Sequence, residues 1–260
     1  MCNHEILTIL SSLRAMASEA ESCLEEHWAE HINNSNSQQP LFAGSARAFP
    51  TCVIGNSSDK VFTTLKAFPY YQNYVDLVNM ELSAITPLLP RDQPLQKVAF
   101  IGSGPLPLTS ICLAQTLREQ SLSSFTTTNV EILNIDSCAQ AILQSSTLSQ
   151  LLGSYTSSLS FACEKAGSSS RDLTPYDVVF IAALVGNTQE EKEEVLLKVV
   201  GKMRSGTLVV IRTSHGLRGL LYPEFEIATQ ELLQKVHVEV VVHPWGWGGV
   251  VNSVIVARVK

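Results

Sequence analysis

Along the first stretch of the chain, EILTILSSLRAMASEAESCLEEHWAEHI (Glu5 to Ile32), the apolar residues Ile6, Leu7, Leu10, Leu13, Met16, Ala17 and Leu24 recur at helical spacing with carboxylates between them. The pattern predicts an amphipathic helix. The next stretch, from Asn33 to Lys60, is rich in Asn, Ser, Gln, Gly and Pro and reads as an irregular surface connection. A second helical stretch covers Asn73 to Leu88 and is broken by the prolines of PLLPRDQP.

Beyond residue 92 the period changes. KVAFIGS, VEILNID, YDVVFIAALVG and GTLVVIRTS are short apolar runs of the kind buried on both faces of a parallel sheet. Helical stretches alternate with them, from Leu106 to Glu119, from Ser137 to Leu152 and through EEKEEVLLKVVGKM. This alternation implies parallel βαβ units. The chain ends with VHVEVVVHP, the turn WGWGG and VVNSVIVARVK, two strands close enough to pair as an antiparallel hairpin. The expected fold is α/β. It combines five parallel strands and a C-terminal antiparallel hairpin in a class I methyltransferase-like (Rossmann-like) sheet over residues 93–260 with an N-terminal α-helical cap domain over residues 1–92.

Composition narrows the partners. The 260 residues are 45% hydrophobic and 16% charged, an ordinary globular balance, and a net charge of -6 argues against a binder of phosphate backbones. A small-molecule partner is expected, with no nucleic acid and no membrane. MCNHEILTIL lacks the pattern of a secretory leader and no apolar run is long enough to span a bilayer, so the expected location is cytoplasmic. The six cysteines are scattered without a CxxC pair, which suggests neither a disulfide framework nor a zinc knuckle.

The most informative stretch is VAFIGSGPLPLTSICLA, where a strand passes through a glycine turn into a helix. Gly102, Ser103, Gly104, Pro105 and Leu106 stand where an open α/β sheet binds its cofactor. In a dinucleotide fingerprint a small residue follows three positions after the second glycine; here that position is Pro107. Pro105 has no N–H, and Pro107 suits the first turn of a helix, so fewer amides face a ligand than a pyrophosphate needs. Asp136 ends the second strand, where a carboxylate can accept both hydroxyls of a ribose. Adenosine without phosphate points to S-adenosyl-L-methionine. The alternative is a structural turn with Asp136 capping a helix.

FPYYQNYVDLVNMELSAI, VAFIGSGPLPLTSICLA, YDVVFIAALVG, RTSHG, LYP and NSVIVARVK occur in the order of the blocks found in nicotianamine synthases, and SCLEEHWAEHI resembles that family's first acidic helix. The resemblance covers the second domain and, more loosely, the first. The chain departs from the plant pattern in a longer connection from Asn33 to Lys60, in WGWGG in place of a shorter acidic turn, and in a shorter N-terminal extension. These departures suggest a non-plant, fungal- or archaeal-like member.

The resemblance implies a transferase that joins the aminobutyrate groups of three S-adenosylmethionine molecules into nicotianamine, a metal chelator, and releases methylthioadenosine. No metal is required, and a homodimer is allowed. An amine attacking the methylene beside a sulfonium must first lose its proton to a carboxylate or phenol. Glu81 is the expected acceptor, seven positions after Tyr74 on the same face of one helix. Tyr70, Tyr71 and Asn73 precede them as substrate-binding candidates, with aromatic rings that can stabilise a sulfonium or simply join two domains. Leu184 and Val185 after the fourth strand are expected to pack the cofactor. In RTSHG, Arg212 can clamp a substrate carboxylate, and His215 can orient or deprotonate an amine or be a satisfied core histidine. Tyr222 can close the far wall.

His27, Glu30 and His31 match the order of an inverted zinc-peptidase motif, but no downstream third ligand accompanies them. Two other functions remain open on the residues alone: a methyltransferase that uses the same Gly102, Gly104 and Asp136, and a non-catalytic binding module sensing metal through HWAEH.

Overall fold

A computed structural model of the chain describes residues 4–35, 57–90, 94–124, 130–167, 171–245 and 249–260. The parts of the Asn33–Lys60 connection between 36 and 56, of PLLPRDQP at 91–93 and of WGWGG at 246–248 lie outside the described residues.

Seven strands form one sheet: β1 (Lys97–Ile101), β2 (Glu131–Asp136), β3 (Leu159–Cys163), β4 (Val178–Ile181), β5 (Leu208–Thr213), β6 (Val236–Val242) and β7 (Ser253–Val259). Their order is β3-β2-β1-β4-β5-β7-β6. The first five are parallel; β7 runs antiparallel between β5 and β6. The terminal pair forms the expected antiparallel hairpin, and its second strand, β7, is the one that lies against β5. β4 and β5 are buried along their whole length and β1 over all but its first residue, as their uninterrupted apolar runs require.

Alternate residues of these strands feed two cores. Val98, Phe100, Val178, Phe180 and Val210 pack with Leu77, Val78 and Leu82 of α3 (Tyr71–Ile85) and with Cys112 and Leu113 of α4 (Leu108–Ser124). Ala99, Ile101, Val179, Ile181, Val209 and Ile211 face Leu196, Val199 and Val200 of α6 (Gln189–Val200) and Leu232 of α7 (Gln230–Lys235). A third cluster joins Ala29 and Ile32 of α1 (His4–Ser35) to Val61 and Leu65 of α2 (Ser57–Lys66) and to Leu148 and Leu152 of α5 (Ala139–Leu152).

Two elements differ from the sequence reading. α2 begins within the stretch expected to be irregular, because Val61, Phe62 and Leu65 find a buried seat. β3 carries no apolar run of its own, being an edge strand with no fully buried residue. No helix among the described residues is long and apolar enough to cross a membrane.

Candidate active site

A cavity of about 830 Å³ lies at the carboxyl ends of the parallel strands, roofed by α1 and α3. The glycine turn forms part of its floor. Gly102 and Gly104 both have positive φ, 83° and 66°, which L side chains rarely adopt. A Cβ at Gly102 would stand 2.4 Å from Val185, so the turn and the wall after β4 fit only through the missing side chain.

The amides of Gly102, Ser103 and Gly104 are already used. The N–H groups of Gly102 and Ser103 donate to the carbonyl of Ile135 at 2.8 and 3.2 Å. The Gly104 N–H donates to Asp136 Oδ2 at 2.9 Å, and the Cys138 N–H to Oδ1 at 2.9 Å. Pro105 and Pro107 have no N–H to offer. The turn thus braces Asp136 with amides that a phosphate would otherwise use, whereas each carboxylate oxygen of this cavity-lining residue keeps lone-pair capacity. The residues present fit an adenosine whose ribose hydroxyls reach Asp136.

Across the cavity α1 contributes two carboxyl groups one turn apart. Tyr74 Oη donates to Glu25 Oε1 at 2.8 Å, and Tyr222 Oη donates to Glu21 Oε2 at 2.8 Å. A Cβ at Gly104 would meet Glu25 Oε2 at 3.0 Å, which puts this carboxyl against the glycine turn. Burial, then repulsion from Glu21, pushes Glu25 up to about 8. Burial also raises Glu21, and both phenols are held well above the usual tyrosine range, mainly by burial and then by the carboxyls facing them. An arriving cation would favour the ionised form of Glu25.

Arg212, at the end of β5, is 6% exposed. Its Nε donates to Glu81 Oε1 at 2.7 Å, and its Nη2 to Glu81 Oε2 and to Thr109 Oγ1, each at 3.0 Å. Beneath it, Lys192 of α6 is fully buried and donates to the carbonyls of Ala183 at 2.7 Å, Arg212 at 3.1 Å and Ala182 at 3.3 Å. Burial lowers this lysine to about 7. The ammonium ties the carboxyl ends of β4 and β5 together. α6 is started there by Thr188, which accepts from the Glu191 N–H, while Glu191 accepts from the Asn187 N–H.

Among the expected site residues, the cavity is lined by Tyr70, Asn73, Tyr74, Gly102, Ser103, Gly104, Pro105, Leu106, Asp136, Leu184, Val185 and Arg212, and also by Tyr222. Three others lie elsewhere. Glu81, expected at the mouth, is buried against Arg212, since seven helical residues carry it about 10 Å beyond Tyr74 and below the floor. Tyr71 turns toward α4, where its hydroxyl donates to Gln115 Oε1 at 3.4 Å. His215 is outside the cavity, its ring stacked 4.1 Å from that of His243 and its Nδ1 3.4 Å from Glu224. Glu21, Glu25, Lys192 and Asn252 were not singled out by the sequence. The two glutamates look like any acidic positions of an amphipathic helix until their tyrosine partners are seen. His27 and His31 are 6.5 Å apart, and among the described residues no group of three His, Cys, Asp or Glu side chains could hold a metal ion.

Strand order, glycine turn and terminal aspartate of β2 together define the class I methyltransferase-like fold. Magnesium protoporphyrin IX methyltransferase from Synechocystis, solved with bound SAH, shares it at TM-score 0.53 and 13% identity over 91% of this chain and 100% of that one. A crystal structure of a point mutant of MtNAS in complex with S-adenosylmethionine matches at TM-score 0.68 and 20% identity, covering 96% of this chain and 77% of that one. The family described as "Nicotianamine synthase protein" matches residues 49–260, and the chain belongs to that family. It is 36% identical over 200 residues to nicotianamine synthase 3 of Oryza sativa subsp. indica, covering 77% of this chain, and 32% identical over 259 residues to nicotianamine synthase 2 of Arabidopsis thaliana, covering 98% of this chain and 68% of that protein. The matched stretch is 55% of the length of the rice relative.

Proposed function

We propose that the chain condenses aminobutyrate groups of S-adenosylmethionine into nicotianamine and releases methylthioadenosine. The Glu25–Tyr74 pair carries this reading: an ionisable carboxyl stands against the adenosine turn, on the opposite side of the cavity from the sheet. The names of the rice and Arabidopsis relatives support it, as does an MtNAS crystal structure that contains MTA and tNA.

In this reading Asp136 holds the ribose, while Leu184 and Val185 pack the adenosine. S-adenosylmethionine supplies the electrophile: the amine nitrogen bonds to its methylene as the carbon–sulfur bond breaks, and the bond's electrons leave with methylthioadenosine. Glu25 takes the ammonium proton that would otherwise block the nitrogen lone pair, with the Tyr74 hydroxyl stabilising the ionised carboxylate. Arg212, held rigid by Glu81, Thr109 and Lys192, offers its remaining N–H groups to a substrate carboxylate. Tyr70 and Asn73 close the mouth. Because Glu81 is engaged by Arg212, it serves as a positioning residue here.

The test is incubation of the purified protein with S-adenosylmethionine alone and identification of the products by mass spectrometry. Nicotianamine with methylthioadenosine is the expected result. Adenosylhomocysteine, formed only when cell extract supplies an acceptor, would instead establish a methyltransferase.

A further inference from the structure

Asn252 precedes β7 and lines the cavity at 9% exposure, and among the described residues its Nδ2 has no hydrogen-bond partner. A buried donor left unpaired is unfavourable, and such groups are normally satisfied by protein, water or ligand. The neighbouring strand shows what is missing. Arg212 pairs with Val254 in the antiparallel β5–β7 ladder, so Asn252 stands two residues along on the same face, a diagonal of about 7–8 Å. The Nε and Nη2 of Arg212 are engaged by Glu81 and Thr109, whereas its Nη1 has no acceptor among the described residues. These two unengaged donors call for an acceptor in the cavity.

Its distance from the adenosine turn identifies the acceptor. Asp136 ends β2 and Asn252 immediately precedes β7, with β1, β4 and β5 between the two strands, and both residues line one cavity. Four strand spacings put them about 19 Å apart. A ribose at Asp136 thus leaves the Asn252 end to the other substrate. Of the polar groups on an aminobutyrate chain, the carboxylate is the acceptor, while the ammonium only donates. Gly249 closes this end, its carbonyl accepting from Asn73 Nδ2 at 2.7 Å.

We propose that Asn252, together with Nη1 of Arg212, is the subsite for a carboxylate of the acceptor chain, and that it governs how many aminobutyrate units the product acquires. This rests on the condensation reading above. It makes Asn252 a specificity-determining residue, distinct from the proton-accepting Glu25.

The test compares the wild type with Asn252→Asp, which replaces the donor by a like charge, and with the near-isosteric Asn252→Leu, which removes it. Nicotianamine and methylthioadenosine are each titrated calorimetrically, and products formed from S-adenosylmethionine are weighed by mass spectrometry. Nicotianamine binding should weaken roughly 10- to 100-fold, the value of a hydrogen bond to a charged group. Methylthioadenosine affinity should be unchanged, and shorter conjugates should accumulate. Asn252→Leu carries the test if the charged variant does not fold, with melting curves to show which it is. Wild-type nicotianamine affinity and product length in a folded variant would overturn the subsite, and so would retained affinity in Asn252→Asp, which would mean an ammonium partner. A wild type that neither binds nicotianamine nor releases methylthioadenosine would overturn the condensation reading and the subsite together.

Discussion

The Tyr74 hydroxyl donates a 2.8 Å hydrogen bond to Glu25, a residue 49 positions earlier on a different helix. The contact joins α1 to α3 directly above the glycine turn. It holds a titratable carboxyl against that turn.

Replacing Glu25 by Gln keeps the shape and an acceptor for Tyr74 but removes the proton acceptor. Methylthioadenosine release should fall by about 10²- to 10⁴-fold, the usual contribution of general base catalysis, while calorimetry shows S-adenosylmethionine still bound. Tyr74→Phe should cause a smaller loss. Unchanged turnover in Glu25→Gln would move the base elsewhere.

The same substitution has a signature in stability. Glu25 loses its proton near 4.5 in the unfolded chain and at about 8 in the folded one, because burial penalises its charge. Between these values the folded state holds more protons, so the group's contribution to stability is complete below pH 4.5 and is lost as pH rises through about 8. Glu25→Gln should remove this decline. Its melting temperature relative to the wild type should rise with pH across the window, by a few degrees at the alkaline end. Parallel melting curves would contradict the burial assigned to this carboxyl.

Glu81 should behave in the opposite way. It is paired with Arg212 in a buried bidentate bridge, and removing one partner of such a bridge typically costs about 3–5 kcal/mol. Glu81→Leu should therefore unfold at markedly lower denaturant. The double variant Glu81→Leu/Arg212→Met should recover much of that stability without regaining activity. Additive losses in the double-mutant cycle would mean the pair is not coupled.

Gly102→Ala tests the turn. The added methyl group would meet Val185 at 2.4 Å in a backbone conformation that L residues rarely adopt, at an expected cost of about 1–3 kcal/mol. Weaker S-adenosylmethionine binding should accompany it. Val185→Ala should restore only part of the loss, since it relieves the clash and leaves the backbone strain.

The sheet was legible because parallel strands buried on both faces must be apolar throughout, as VAFI, VVFI and LVVI are. β3 was not, since an edge strand can be half polar, and LSFAC has no pattern to betray it. The glycine turn and Asp136 could be read from local spacing. Glu21 and Glu25 could not, because what distinguishes them is a tyrosine 201 or 49 positions away. Glu81 was expected at the cleft for the same reason: the arginine that engages it lies 131 positions further on.

The internally bonded amides of the glycine turn also bear on competition between ligands. ATP, ADP and the nicotinamide dinucleotides all carry an adenosine that could reach Asp136, and all trail phosphates that here would meet two prolines and already engaged N–H groups. On the far side the same phosphates would face Glu21 and Glu25. A pocket built this way would discriminate against adenine nucleotides by offering their phosphates few donors.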